Sequence, residues 1–497
     1  MKKPLLFCCL WLFTFAMVAQ EQKGQVIEGP LSKVHQFENQ ALEGEHAAIF
    51  PLSAGLDSIL IAQTSDSSYF KSSKKINIQP MLNLEGGLFG DEFRGVSGAG
   101  ITAKAKAGKR FHFRLNAGMY AAQLPGYLGS DSVDVLPGIG ETIAKGDVLL
   151  APYLSGAMEV QLGKYFSAEV GRGKHHWGDG YRSTVLSHNA SPYPYARIAT
   201  KIWKLKYVNL WTAQKDITTG FDDPSRRKFT TMHMLSFNLH KRFNINVFEA
   251  IVYQNRDTLS NRNLEMNYLN PIIFYRPVEF AQGSADNALL GFGMKYRGRN
   301  EWQVYSQVYF DEFLLFELRR RLGWWGNKFS VQLGAKKWNV LPGLHGLVEF
   351  NLSRPYTYTH GSVFQAYGHL NQGLAHPLET NFVEWINNWT YERGKWNLEL
   401  TYMWAIFGRD TETENFGGNI FRSYANPSKQ YDNYLAQGLK STVHFAQLNA
   451  AYPIGNTNLS GTCSLGYRYE KNTQFLRSQA FLQLGIKSSI TRPLYVR

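Results

Sequence analysis

The sequence predicts an all-β fold: a single large antiparallel transmembrane β-barrel of about 16–18 strands, with structured loops and a short N-terminal segment. Three observations carry this expectation. Beyond the first 19 residues there is no run of about 18 consecutive apolar residues, so no membrane-crossing helix is on offer. Apolar and polar residues alternate with period two in many segments, which gives each strand one oily and one polar face. The connections between those segments tend to be tight on one side and long on the other, as in outer-membrane barrels.

From the N-terminus, Lys2 and Lys3 precede an apolar stretch from Leu5 to Val18 that only Thr14 interrupts. This has the form of a secretory signal peptide, residues 1–19, cleaved near Ala19–Gln20. Met17 is larger than the residue usually found three places before such a cut, so the expected junction carries a margin of a residue or two. Cys8 and Cys9 lie inside the apolar stretch, upstream of where a lipidated cysteine would stand. Residues 20–74 are polar and irregular and are expected in the periplasm or folded into the lumen, with the barrel spanning 75–497.

Among the strands, Phe111, Phe113, Leu115, Ala117 and Met119 alternate with His112, Arg114, Asn116, Gly118 and Tyr120. Trp302, Val304, Val308 and Phe310 alternate with Gln303, Tyr305, Gln307 and Tyr309, and Phe329, Val331, Leu333 and Ala335 with Ser330, Gln332, Gly334 and Lys336. In the segment from Trp396 to Ile406, Leu398, Leu400 and Ile406 should face hydrocarbon, and Asn397 and Glu399 the lumen. A soluble sandwich would alternate in the same way, but here aromatics gather near strand ends. Tight turns fall near Gly108–Lys109, Gly163–Lys164, Lys241–Arg242, Gly298–Arg299, Pro342–Gly343, Gly394–Lys395 and Gly455–Asn456. Long loops fall near 123–148, 255–286, 311–326 and 409–438. The segment 214–229 reads as a long connection where a short one is due, and a further strand is expected near 267–280.

Composition agrees with this reading. Aromatics make up 14% of the 497 residues, with 27 Tyr and 32 Phe, and Tyr and Trp suit a lipid–water boundary. The first 19 residues hold two lysines and no acid, so their removal lowers the formal charge from +14 to +12. That excess favours acidic polysaccharide or lipopolysaccharide phosphate as partners. Arg319-Arg-Arg321 followed by Trp324-Trp325 is its sharpest local form, and a girdle facing lipid headgroups is the plainer account of it. Cys463 alone remains after cleavage, which excludes a disulfide framework or a Cys-ligated metal. It falls on the apolar side of its strand as a small hydrophobe.

The densest segment is Gly173-Lys-His-His-Trp-Gly-Asp-Gly-Tyr-Arg-Ser-Thr-Val-Leu-Ser-His-Asn-Ala-Ser-Pro-Tyr-Pro-Tyr195, a structured loop by its Gly and Pro content. It offers Trp177, Tyr181, Arg182, His188, Asn189, Tyr193 and Tyr195, flat aromatics and planar polar groups of the kind sugar-binding surfaces use. The competing account is that they plug the lumen and support the loop. His175, His176, Asp179 and His188 match no zinc spacing. There is no Gly-x-Ser-x-Gly elbow and no distinguishable carboxylate pair, so no catalytic residue, metal or cofactor is assigned. Nucleic acid is unsuited to the compartment.

This segment resembles the Wzi-like capsule-assembly barrels, which carry Trp-Gly-Pro-Gly followed by Leu-x-Ser-x-Asn-Ala-x-Pro-x-Pro. The matching residues are Trp177, Gly178, Gly180, Leu186, Ser187, Asn189, Ala190, Pro192 and Pro194, with Asp179 where that family commonly has Pro. Tyr268-Leu-Asn-Pro-Ile-Ile-Phe274, Arg354-Pro-Tyr-Thr-Tyr-Thr-His360 and Asn371-Gln-Gly-Leu-Ala-His-Pro-Leu378 resemble a subgroup, the RemB-like gliding-motility barrels of Bacteroidota. The resemblance spans roughly residues 165–390. It implies a non-enzymatic outer-membrane barrel that contacts surface polysaccharide, in capsule attachment or gliding motility, with outer-membrane lipid and other envelope proteins as further partners. The candidate polysaccharide-binding residues are Trp177, Asp179, Tyr181, Arg182 and Asn189, joined through the later motifs by Arg354, Tyr356, His360 and His376. A porin-like solute channel is the alternative.

Overall fold

Strands in hydrocarbon must pair every backbone N–H and C=O among themselves, and this chain does so with eighteen of them. The computed structural model describes residues 49–51, 76–108, 110–128, 134–143, 148–217, 227–255, 265–271 and 286–488. The expected signal peptide, its cleavage junction and most of the 20–74 stretch lie outside the described residues.

The strands are β1 (Ile76–Phe89), β2 (Glu92–Ala107), β3 (Phe111–Gln123), β4 (Leu149–Gln161), β5 (Phe166–Gly173) and β6 (Tyr193–Ile202). Then come β7 (Leu205–Lys215), β8 (Arg227–His240), β9 (Phe243–Gln254), β10 (Asn287–Arg297), β11 (Trp302–Phe310) and β12 (Phe329–Leu341). The last six are β13 (Leu344–Ser353), β14 (Phe382–Arg393), β15 (Trp396–Arg409), β16 (Leu439–Pro453), β17 (Leu459–Lys471) and β18 (Leu476–Ser488). Each pairs antiparallel with the next, and β1 pairs with β18 from Asn83↔Lys487 to Phe89↔Phe481, which closes the barrel.

At one end every connection between consecutive strands is short, and all seven expected tight turns lie there. Gly343 shows why glycine is needed: its φ is +78°, and a Cβ would stand 2.3 Å from the Glu392 carbonyl oxygen. One turn at this end escaped the sequence reading. Trp203 and Lys204 join β6 to β7 without a glycine, Trp203 taking φ 52°. Once that turn is counted, the segment after Lys215 falls at the long-loop end, where its length is in order. In the wall β9 pairs directly with β10 through Val252↔Asn287, and most of the strand expected near 267–280 lies outside the described residues. Met266–Leu269 is instead a 3-10 turn.

The period-two pattern resolves into an apolar outside and a polar inside. Along β15, Leu400 is 46% exposed toward lipid while Glu399 is 1% exposed toward the lumen. Cys463 lies half-buried in β17, on the side that Leu465 and Tyr467 share. Aromatics ring the short-turn end, with Tyr296 against Trp302 at 5.5 Å and Trp396 against Tyr452 at 4.9 Å. They place the polar–apolar boundary where their amphipathic rings are most stable.

Replacing Leu400 by Arg should therefore destabilise the folded barrel by about 2–4 kcal/mol if that position lies near mid-bilayer, and Asn397→Arg by much less. Guanidinium titration of protein folded into lipid vesicles measures both. Equal costs would mean the assigned faces are wrong.

Candidate functional site

At Gly173 the chain leaves the wall, and residues 174–192 fold back inside the lumen. The short strand His175–Trp177 pairs with Ile49–Pro51, so part of the N-terminal stretch joins this loop. The Trp177 amide donates to the Leu186 carbonyl at 2.8 Å and pinches the loop into a compact unit. Two glycines let its backbone approach the wall. A Cβ at Gly178 would stand 2.4 Å from Gln307 Nε2, and one at Gly180 would stand 2.3 Å from Glu349 Oε2. The Gly-x-Gly of the motif is thus a close-approach device.

The wall meets the loop with two buried carboxylates. Glu349 on β13 accepts from the Tyr181 amide at 2.8 Å and the Arg182 amide at 3.0 Å. The same carboxylate accepts from the Tyr305 hydroxyl at 2.6 Å and Asn351 Nδ2 at 2.9 Å. Glu384 on β14 accepts from the Arg182 guanidinium at 3.3 Å and Asn351 Nδ2 at 3.1 Å, and its oxygen lies 2.8 Å from His376 Nε2. Gln332 donates to the Arg182 carbonyl at 3.0 Å. Asp179, where the resembled family has Pro, is paired with Lys295 at 3.2 Å and accepts from Gln303 at 3.3 Å.

The later motifs come to the same place. The Ser187 amide donates to the Leu374 carbonyl at 2.7 Å, and Asn189 Nδ2 to the Gly373 carbonyl at 3.0 Å. The Tyr358 and Tyr367 hydroxyls donate to the Thr184 and Val185 carbonyls, each at 2.7 Å. The structure therefore gathers Trp177, Asp179, Tyr181, Arg182, Asn189 and His376 around one interlocked pair of loops.

Arg354, Tyr356 and His360 stand apart from that group. The Arg354 guanidinium donates to the carbonyls of Asn327 and Trp324, and the Tyr356 hydroxyl to the Asn415 carbonyl at 2.5 Å. The His360 ring sits edge-on to Tyr424 at 5.5 Å. All three brace the 354–381 loop against 311–328 and 410–438.

Exposure divides the candidates again. Trp177 is 0% exposed, its ring edge-on to Phe248 at 5.7 Å, and offers no free face to a ligand. Tyr181, Arg182 and Asn189 instead line a small hollow together with Ser187, His188 and Pro377. The sequence reading missed Glu349, Glu384, Tyr305, Lys295 and Gln307. Each occupies the polar face of an alternating strand, where nothing local separates a loop anchor from ordinary lumen lining.

Several loop histidines are held neutral by burial. His175 and His369 are pulled down to about 3, chiefly because no water reaches them, and His188 is lowered too, with His176 adding to the effect. His188 and His176 meet Nδ1 to Nδ1 at 3.3 Å, a contact that two protonated rings could not keep.

Closed wall, apolar exterior and inward loop define an outer-membrane β-barrel. Among solved structures the chain is similar to Wzi of Escherichia coli, described as an outer-membrane protein involved in group 1 capsule assembly and as a carbohydrate-binding β-barrel. The TM-score is 0.56 at 12% identity, covering 92% of this chain and 97% of that one, and the likeness is one of fold. OprD of Pseudomonas aeruginosa superposes with TM-score 0.45 at 10% identity, over 83% and 94% of the two chains. A BenF-like porin from Pseudomonas fluorescens gives 0.44 at 12%, over 82% and 98%. No family model and no curated protein matches the chain.

Two outcomes follow from these contacts. Glu349→Ala strands the Tyr181 and Arg182 amides, at about 1–3 kcal/mol for each buried group left unpaired. Limited proteolysis should then cut within 174–192 while the barrel keeps its heat-dependent gel migration; an uncut loop would mean that Glu349 does not hold it. Acid should act the same way. Unfolded histidines take up protons near pH 6.5 and the folded loops resist doing so, so this stability is present above about 6.5 and lost as pH falls. Cleavage of the loops should rise between pH 7.5 and pH 5, and less so in His188→Gln.

Proposed function

We propose that this chain is a non-enzymatic outer-membrane barrel that engages surface polysaccharide, serving capsule attachment or surface motility, and that its interlocked loops form the binding element. The observation that carries this reading is the joining of the 174–192 and 354–381 loops inside the wall. Rigid loops crossing the lumen suit a scaffold that presents a fixed surface to a long polymer. At the mouth of the small hollow Tyr181 and His188 keep partial exposure, an aromatic face beside a polar ring edge, the chemistry that sugar rings and their hydroxyls meet. The fold of Wzi, described as carbohydrate-binding, is compatible with this reading.

A solute channel is the second reading, and one observation favours it. The inward face of the wall is polar, as along β15, where Asn397, Glu399 and Thr401 turn toward the lumen. Polar groups in that position suit a watered passage.

Binding energy in such sites concentrates in a few aromatic and polar groups, each worth above about 1 kcal/mol. The variant Tyr181→Ala, His188→Ala should bind polysaccharide extracted from the producing cell about tenfold more weakly, since about 1.4 kcal/mol is one decade. Its abundance and heat-dependent gel shift should not change. Unaltered binding would remove the hollow from the reading. In planar bilayers the unmodified protein should show no steady conductance; a stable ohmic current would favour the channel.

A further inference from the structure

We propose that the 311–328 loop is a glycolipid site: its helix lies among the acyl chains of the outer leaflet, and Arg319, Arg320 and Arg321 grip the phosphates of a phosphorylated glycolipid there.

The loop continues the lipid-facing surface of the wall. Phe310, which ends β11, and Phe329, which begins β12, are register partners on the outer side. Phe292 of the exposed belt lies 6.5 Å from Phe310. Phe313 comes over from the loop to 5.0 Å from Phe310 and 6.3 Å from Phe329. The helix α1 (Leu315–Arg320) follows at once and has no buried residue. Leu314, Leu315, Phe316, Leu318 and Leu322 are each 41–70% exposed, an apolar surface continuous with the hydrocarbon belt. A helix this short gains almost nothing from its own hydrogen bonds in water, so its stability has to come from what its side chains touch.

Backbone contacts present that surface outward. The Leu314 amide donates to Asn327 Oδ1 at 2.9 Å, and Asp432 and Asn433 amides donate to the Leu322 and Gly323 carbonyls at 2.8 and 3.0 Å. Arg321 ends the helix in the left-handed region, φ 58°. Three exposed arginines therefore follow one another at the C-terminal end. Arg320 is paired with Glu317 at 3.0 Å and lies over the Tyr431 ring. Arg319 and Arg321 have no carboxylate partner among the described residues. Guanidinium matches phosphate oxygens two at a time, and the long-loop end of such a barrel faces the outer leaflet. Apolar anchor below and basic cluster above is the layering that a lipid with a phosphorylated headgroup presents in reverse.

The test uses the full chain, its three cysteines replaced by Ala, folded into nanodiscs that contain bisphosphorylated lipid A. A fluorophore at Leu318→Cys, and separately at Leu315→Cys, should be quenched by lipids brominated in their acyl chains at least about twofold more than one at Glu412→Cys. Equal quenching at all three positions overturns the proposal. So does crosslinking of Leu318→Cys between two copies without quenching, which would make the patch a protein contact. In detergent, Arg319→Gln with Arg321→Gln should weaken binding of bisphosphorylated lipid A about tenfold and leave dephosphorylated lipid A unaffected. Equal loss for both lipids, or none, overturns the phosphate assignment.

Discussion

The whole structure depends on the closure of β1 onto β18. Hydrocarbon offers no water to an open strand edge, so the ladder from Asn83↔Lys487 to Phe89↔Phe481 is what lets seventeen other pairings stand in lipid. Closure has a second consequence. A ring of eighteen strands is wider than its own inward side chains can fill, and those side chains are polar because the outward ones must be apolar. The wall thus surrounds a polar interior that some other part of the chain, or water, has to satisfy.

Loop 174–192 meets much of that demand. Glu349 and Glu384 sit on neighbouring strands with Asn351 donating to both, and each would be expensive to bury without partners. The loop brings two backbone amides and a guanidinium to them, and the 354–381 loop brings His376. The carboxylates hold the loops, and the loops make the carboxylates tolerable. Trp177 belongs to this arrangement as packing, its indole closed in against Phe248, while Tyr181 and His188 keep partial exposure at the edge.

The same economy of contact governs the outer end. Arg354, Tyr356 and His360 knit three long loops together, and the face that the 311–328 loop leaves uncovered is apolar and runs into the lipid belt. Aromatic residues do different work on the two sides of the wall: inside they seal loop against strand, and outside they meet lipid or its boundary.

Much of this was legible in the sequence, because lipid and water impose local patterns. Period-two alternation fixed which residues of β3, β11, β12 and β15 face out, since a strand reverses its side chains at every residue. Seven tight turns announced themselves through glycine or through a pair of basic residues between strands. The Trp203–Lys204 turn did not, and the misjudged 214–229 connection followed from it. The motif at 173–195 was legible as a structured loop, and its convergence with 371–378 was not. That convergence, the choice of Glu349 and Glu384 among many lumen-facing polar residues, and the separation of Arg354, Tyr356 and His360 from the rest were decided by tertiary structure alone. Alternation tells a residue which side of the wall it faces; only the folded chain tells it what stands opposite.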